Sequence, residues 1–277
     1  MGYFCTMEVK EYKEEEYRVI FGVEKNTFEE MVSLAERQYQ KDHECGGRKD
    51  GLSPQERVEI TLKYTRQYLS QRYLAAEYKV AKSCISPIIK WTLKVIVSNG
   101  KFSLPKKVEN IYDKSEDRIY DATESKIDRP QKKQKKYYSG KKKMHTLKTQ
   151  IEIGVDTLLI YSIAFAIGSI HDFNLFKNSS HDYNKDTTLF VDLGYMGIEK
   201  IHKNSIIPIK SSKNHKLNGD EKWYNSEVSK VRIAIEHVNA YLKKFKIIST
   251  RFRNRRKNFK LYMTFICCIY NYETANL

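Results

Sequence analysis

The sequence predicts a mixed α/β domain preceded by an all-α segment, and three observations carry that expectation. Up to about residue 97, apolar residues recur at helical spacing between recognisable caps. After "SNGKFSLPKKVEN" the texture changes to short runs that alternate, or stay apolar, in strand fashion. A long amphipathic helix then returns at "SEVSKVRIAIEHVNAYLKKF", with Val228, Val231, Ile235, Val238 and Leu242 near helical spacing. Strands, a helix, a further strand and a late helix make a layered α/β architecture. The composition shifts divide the chain into residues 1–49, 50–110 and 111–277.

Residues 8 to 40 read as acidic helices, "EYKEEEYRVIFG" and, after a break, "NTFEEMVSLAERQYQK". Asn26 or Thr27 is the expected cap of the second, and Glu29 and Glu30 suit its positive end. The Gly-rich "DHECGGRKDGLSPQE" marks a boundary near residue 50, and Ser53 before Pro54 is a helix start. Three helices follow through residue 97, the third in "VAKSCISPIIKWTLKVIV". It is expected to begin between Ser83 and Ser86, so that Pro87 falls in its first turn. Helix, short helix, turn and a longer helix carrying Lys82, Ser83, Ser86 and Lys90 fit a helix-turn-helix. The same pattern fits an ordinary helical bundle. Strands are expected at "DRIYDATES", "HTLKTQIEIGV", "TLLIYSIAFAIG" and "TLFVDLGY", with a hairpin at "GVDT" and a helix within "SIHDFNLFKNSSHDY".

Fifty Lys and Arg against 34 Asp and Glu give a net charge of +16, spread unevenly over 277 residues. Residues 1 to 44 hold eleven acids and six bases, so the remainder is more basic than the whole. Such a body attracts polyanions, nucleic acid first among them. The five cysteines form no CxxC pair, which excludes a zinc cluster of that kind and argues against a disulfide framework. No secretory signal is visible, and "LYMTFICCIY" is too short to span a bilayer.

Three carboxylates stand at comparable places. Asp121 ends "RIYD", Asp192 ends "LFVD", and Glu236 lies mid-helix in "RIAIEHVN". Asp192, followed by Gly194 and Gly197, also fits a turn-forming aspartate. Glu236 is expected near the apolar seam, where an acid needs a cationic partner. Two strand-end aspartates and a helix glutamate form the layout of a two-metal phosphoryl-transfer site. Asp172 in "SIHDF" reads as a helix cap, Glu124 as a neighbour of Asp121, and Asp113, Asp117, Asp182 and Asp186 as solvated turn residues. His171 and His237 read as structural histidines.

"IYDATESKIDRPQKKQKKYYSGKKKMHTLKTQ", "HDFNLF", "VDLGYMG" and "RIAIEHVNAYLKKFKIISTRFRNRR" occur in that order and closely resemble the DDE transposases of bacterial insertion sequences. The branch is the insertion-sequence-five family, related to the eukaryotic Harbinger elements, and the resemblance spans about residues 50 to 272. It implies an RNase H-like catalytic domain preceded by a helix-turn-helix DNA-binding domain. It also implies that Asp121, Asp192 and Glu236 are catalytic and hold Mg²⁺ or Mn²⁺, two ions per active site. The intervals between these acids are 71 and 44 residues. The family's Arg–Glu–Lys pattern falls on Arg232, Glu236 and Lys243, but Ser229 stands where many relatives carry a tyrosine. The implied partners are double-stranded DNA, as element ends and as target, and further copies of the chain in a homodimer or larger oligomer. No membrane is implied, and the implied location is the cytoplasm, at the bacterial nucleoid.

"KKQKKYYSGKKK" places Lys132, Lys133, Lys135, Lys136, Lys141, Lys142 and Lys143 around two tyrosines, suited to phosphates and unpaired bases. Arg251, Arg253, Arg255 and Arg256 form a second basic patch, and Lys210, Lys213 and Lys216 add charge between Asp192 and Glu236. The expected activity is cutting of element ends followed by joining of the 3′-hydroxyl to target DNA. A DNA-binding regulator without turnover and a metal-dependent nuclease that cuts without joining are the alternatives.

Overall fold

The computed structural model describes residues 12–46, 51–104 and 114–276. The expected boundaries near residues 50 and 110, and Asp113, lie outside the described residues.

Helices α1 (Glu14–Ile20) and α2 (Lys25–Asp42) open the chain. Glu24, not Asn26 or Thr27, holds the N-cap position of α2. Thr27 lies inside that helix with its side chain buried, so it cannot serve as the cap. Helix α3 (Pro54–Arg66) starts as its sequence dictates: the Ser53 hydroxyl accepts from the Glu56 N–H, and Glu56 reaches back to the Ser53 N–H. Every residue of α3 from Arg57 to Thr65 is buried, because α2, α5 and α9 (Lys246–Ser249) pack around it. Its charges are satisfied locally. Lys63 pairs with Glu77 at 2.5 Å, Glu59 accepts from the Tyr78 hydroxyl at 2.8 Å, and Arg57 lies over the rings of Tyr39 and Trp91. Helices α4 (Gln71–Glu77) and α5 (Lys82–Ser98) complete the group. Helix α5 begins a little before its expected start, so Pro87 lies inside it and offers no N–H to the Ser83 carbonyl one turn earlier. Ser83 is exposed, so that carbonyl is not sealed in the core.

Among the described residues six strands form one sheet. Strand β1 (Arg118–Lys126) lies at its centre, antiparallel to β3 (Met144–Gly154), which pairs antiparallel with β4 (Ile160–Ile167). On its other side β1 runs parallel to the short β5 (Leu189–Phe190), and β5 to β6 (Ser205–Ile206). The short helix α6 (Gln134–Tyr137) and strand β2 (Tyr138–Ser139), which pairs with the start of β3, carry the lysine-rich run. Helix α7 (Asp172–Lys177) packs near β3 and β4. The late helices α8 (Gly219–Lys243) and α10 (Phe259–Ala275) complete the layers. The apolar run at 261–270 thus lies in a core helix, and no helix of the described residues is long and apolar enough to cross a membrane.

Side-chain alternation sorts β1 onto two faces. Ile119 joins Ile151, Ile153, Ile235 and the α10 residues in a core that continues into α2, α3 and α5. Tyr120 joins Phe176, Leu189, Val191, Tyr195 and Ile198 in a smaller core on the other face. The helical segment is bound to the sheet region by polar ties as well. Tyr64 donates to Asn254 at 2.8 Å, and the Arg253 N–H donates to the Tyr68 hydroxyl at 2.6 Å. Phe102 stacks on Tyr272 with ring centres 4.3 Å apart.

Candidate active site

The pairing of β1 with β5 sets Ile119 opposite Phe190. Two residues further along each chain, on the same face, stand Asp121 and Asp192. Parallel neighbours in register therefore bring together two acids that lie 71 residues apart in sequence. Asp192 leaves the sheet in extended conformation and its Oδ1 accepts the Gly194 N–H at 2.8 Å, opening a turn of 3₁₀-helix. The turn role expected of this aspartate is thus real and leaves its second oxygen for other work. Gly194 is required there. A Cβ on it would stand 2.6 Å from Asp172 Oδ2 and 2.9 Å from Asp192 Oδ1, so any side chain would push these carboxylates away.

Asp121 is held above the ordinary carboxylate range, chiefly because burial disfavours its charge and next because the Asp192 charge repels it. Its own Ala122 N–H and the more distant Arg232 act in the opposite sense. Among the described residues no Lys or Arg forms an ion pair with Asp121 or Asp192. The hydrogen bond Asp121 accepts from α8 comes from Asn239, whose Nδ2 donates to Oδ2 at 2.7 Å. Tyr195, buried nearby, stays protonated: burial first, then the charges of Asp172, Asp121 and Asp192, drive its pKa far up.

Helix α8 shows where the expected triad is complete and where it is not. Its buried face carries Val228, Ile235, Val238, Asn239 and Leu242, whereas Glu236 is exposed. The expectation that Glu236 lies at the apolar seam is corrected. At about 100° per residue, Glu236 sits roughly 60° further round the helix than Asn239, past the edge of the buried stripe. Arg232, Glu236, Asn239 and Lys243 still share one shoulder of α8, at i, i+4, i+7 and i+11. Arg232 is partly buried there with no partner for its Nε, and Lys243 is exposed.

Asp172 is not a cap, since the N-cap position of α7 belongs to His171. Its Oδ1 instead accepts from Lys148 at 2.6 Å. Lys148, buried on β3 directly across from Glu124, also donates to the Ile170 carbonyl at 2.6 Å. Glu124 stands 3.9 Å from the same ammonium and accepts from Thr146 and Ser139. Sequence reasoning missed Lys148 and Asn239. The second had a signal, a lone amide in the stripe Ile235–Val238–Leu242.

The residues fit a hard divalent cation in part. Asp121 and Asp192 supply anionic oxygens without a cationic partner, and the Oδ1 of Asn239 is buried with no donor facing it. Carboxylate and amide oxygens are the donors Mg²⁺ and Mn²⁺ prefer. Among the described residues no three of His, Cys, Asp and Glu stand close enough to enclose an ion, so Glu236 does not close the set in this arrangement.

The basic side chains expected to meet DNA are mostly exposed. All seven lysines of residues 132–143 are exposed, as are Lys210, Lys213 and Lys216. Arg256 lies over the Tyr137 ring at 4.7 Å, so the two basic segments meet as one surface. Arg251, Arg253 and Arg255 are exposed too, but Arg253 is engaged: it donates to the Tyr68 carbonyl and stacks on the Tyr68 ring. Arg251 makes an exposed pair with Asp128 at 3.4 Å, which contributes little. Lys82, Ser83 and Lys90 of α5 are exposed and Ser86 is half-buried.

A layered α/β protein with two uncompensated aspartates, one inside a central strand and one just past its parallel neighbour, and with exposed basic segments, has the makings of a nuclease of the DDE class. Residues 120–271 match the family described as DDE superfamily endonuclease, and the chain belongs to that family. It is therefore an endonuclease. Over 270 residues it is 37% identical to the probable transposase for insertion sequence element IS702 of Microchaete diplosiphon, covering 97% of this chain and 98% of that one. No solved structure matches.

Proposed function

We propose that this endonuclease is a transposase of the insertion-sequence-five type that binds the terminal inverted repeats of its element, cuts there, and joins the freed 3′-hydroxyl to target DNA. The observation that carries this reading is the pairing of Asp121 with Asp192 on neighbouring parallel strands without a cation between them. The mixed sheet, with Asp121 inside the central strand and Asp192 just past the end of its parallel neighbour, supports an RNase H-like catalytic domain, and near full-length similarity to a probable transposase supports the choice of reaction.

In this mechanism Asp121 and Asp192 would hold Mg²⁺ or Mn²⁺, two ions per site, with Glu236 of α8 as the third carboxylate that would complete the set. Bound there, the metal supplies Lewis-acid activation of water and of the scissile phosphate. The chain does the rest. Arg232 and Lys243, on the shoulder that carries Glu236, neutralise phosphates beside the cut. Lys132, Lys133, Lys135, Lys136, Lys141, Lys142, Lys143, Arg255 and Arg256 hold the DNA backbone against the sheet edge, and Arg251 extends that surface. Helices α3, α4 and α5 act as a helix-turn-helix, with Lys82, Ser83, Ser86 and Lys90 of α5 facing the major groove. Two copies or more assemble on DNA, since an element has two ends to cut.

End-labelled DNA carrying the element terminus tests this. A transposase gives both a nicked strand and a longer joined product in Mg²⁺. Nicking with no joined product would favour a nuclease, and binding with neither product a silent regulator.

A further inference from the structure

Asn239 occupies a place where an apolar residue would be expected. It lies on the buried stripe of α8 beside Val238 and Leu242 and is only 6% exposed. Burying an amide there is unfavourable unless its polar atoms are satisfied. Half of that requirement is met: Nδ2 donates to Asp121 Oδ2 at 2.7 Å. The other half is not, because Oδ1 is buried without a donor. Turning the amide over does not help, since it would set Oδ1 against the Asp121 carboxylate, which also lacks a proton to offer when ionised.

The choice of a neutral donor also matters. A lysine or arginine at this position would neutralise Asp121 and compete with any cation for its oxygens. Asparagine fixes the carboxylate's orientation and leaves its charge intact. Its orphaned carbonyl, on the amide that touches Asp121, then adds a hard oxygen suited to a divalent cation or to a water bound to one.

We propose that Asn239 is a positioning residue for Asp121, holding that carboxylate for divalent-cation binding and presenting its own Oδ1 to the same cation or its water shell. The inference rests on the reading that Asp121 and Asp192 bind metal. It extends the site to a residue outside the Asp121, Asp192 and Glu236 set.

The test reads Mn²⁺ binding to the full chain from the electron paramagnetic resonance signal of free Mn²⁺, without DNA or turnover. Asn239→Leu keeps the branched shape of the side chain and removes both donor and acceptor. It should weaken Mn²⁺ affinity about tenfold. The Mn²⁺ concentration for half-maximal nicking should rise by the same factor, while metal-free DNA affinity stays within about twofold. If the leucine variant does not fold, Asn239→Ser, which shortens the reach to Asp121 without adding bulk, takes its place with the same expectation. Parental Mn²⁺ affinity in the folded variant would overturn the proposal. Asp192→Asn, measured alongside, separates the two claims. If it loses Mn²⁺ while the Asn239 variant keeps it, only the role of Asn239 falls. If Asp192→Asn also binds Mn²⁺ as the parent does, the metal reading itself falls.

Discussion

Two groups of acids meet around β1, and they are built on opposite principles. On the face turned to α7, acids have cations: Glu124 and Asp172 share Lys148, while Glu116 and Glu152 flank Arg118, which is fully buried. On the face turned to α8, Asp121 and Asp192 stand together with a neutral amide as the helix's contribution. An acid whose charge is met inside the protein has finished its work in folding. An acid left uncompensated beside another raises the free energy of the empty fold, and a cation from outside relieves it. The contrast explains why Asp172, though near Asp192, is assigned to structure.

That contrast can be broken from either side. The largest stability effect should come from Lys148→Met, which leaves Glu124 and Asp172 buried without their ammonium. Unfolding in denaturant should show a loss of about 3–5 kcal/mol. A loss under about 1 kcal/mol would mean that these acids were never internally compensated.

On the other face the sign reverses. Asp121 has a raised pKa in the fold, so its ionised form is disfavoured there relative to the unfolded chain. The penalty is fully present above the folded-state pKa and fades as pH falls through it toward the unfolded value. Asp121→Asn should therefore raise the melting temperature of the metal-free protein by a few degrees near pH 7.5, and the gain should shrink toward about pH 4. A destabilised Asp121→Asn protein at neutral pH would place Asp121 with the compensated acids.

The smallest effect concerns lysines that lack an internal partner. Lys148 is spent on its acids, whereas Lys132, Lys133, Lys135 and Lys136 are exposed. Replacing these four by alanine should flatten the fall of log DNA affinity with log salt, by about 0.9 for each phosphate that is no longer neutralised. An unchanged slope would make this run an ordinary solvated surface.

Much of this was legible in the sequence, and the failures have physical causes. Asp192 could be read because it follows the end of an apolar strand, a local feature, but Asp121 does not end its strand as expected: β1 runs on to Lys126 because β3 pairs with it along its whole length. The alternation of "HTLKTQIEIGV" suggests that Lys148, Gln150 and Glu152 face water, yet nearly all of β3 is buried. The covering elements, α7 and the turn after Asp192, come from elsewhere in the chain, and burial is tolerable only because the charges pair. Glu236 illustrates the limit of periodicity. One helical step separates the seam from its shoulder, and apolar neighbours on both sides in sequence do not say which side of that step a residue takes. Strand β6 and the short β2 leave too few residues for any pattern to show.

The central claim is that Asp192 serves a cation, not only a turn. Asp192→Asn isolates the difference, because an asparagine Oδ1 can still accept the Gly194 N–H while the negative charge is gone. The decisive measurement is cutting and joining of end-labelled terminal DNA by this variant in Mg²⁺, with its fold and DNA binding checked in parallel. The account predicts a folded protein that binds the terminus at least as well as the parent and neither nicks nor joins it. Near-parental rates of strand transfer would contradict the account and return Asp192 to the role of a turn.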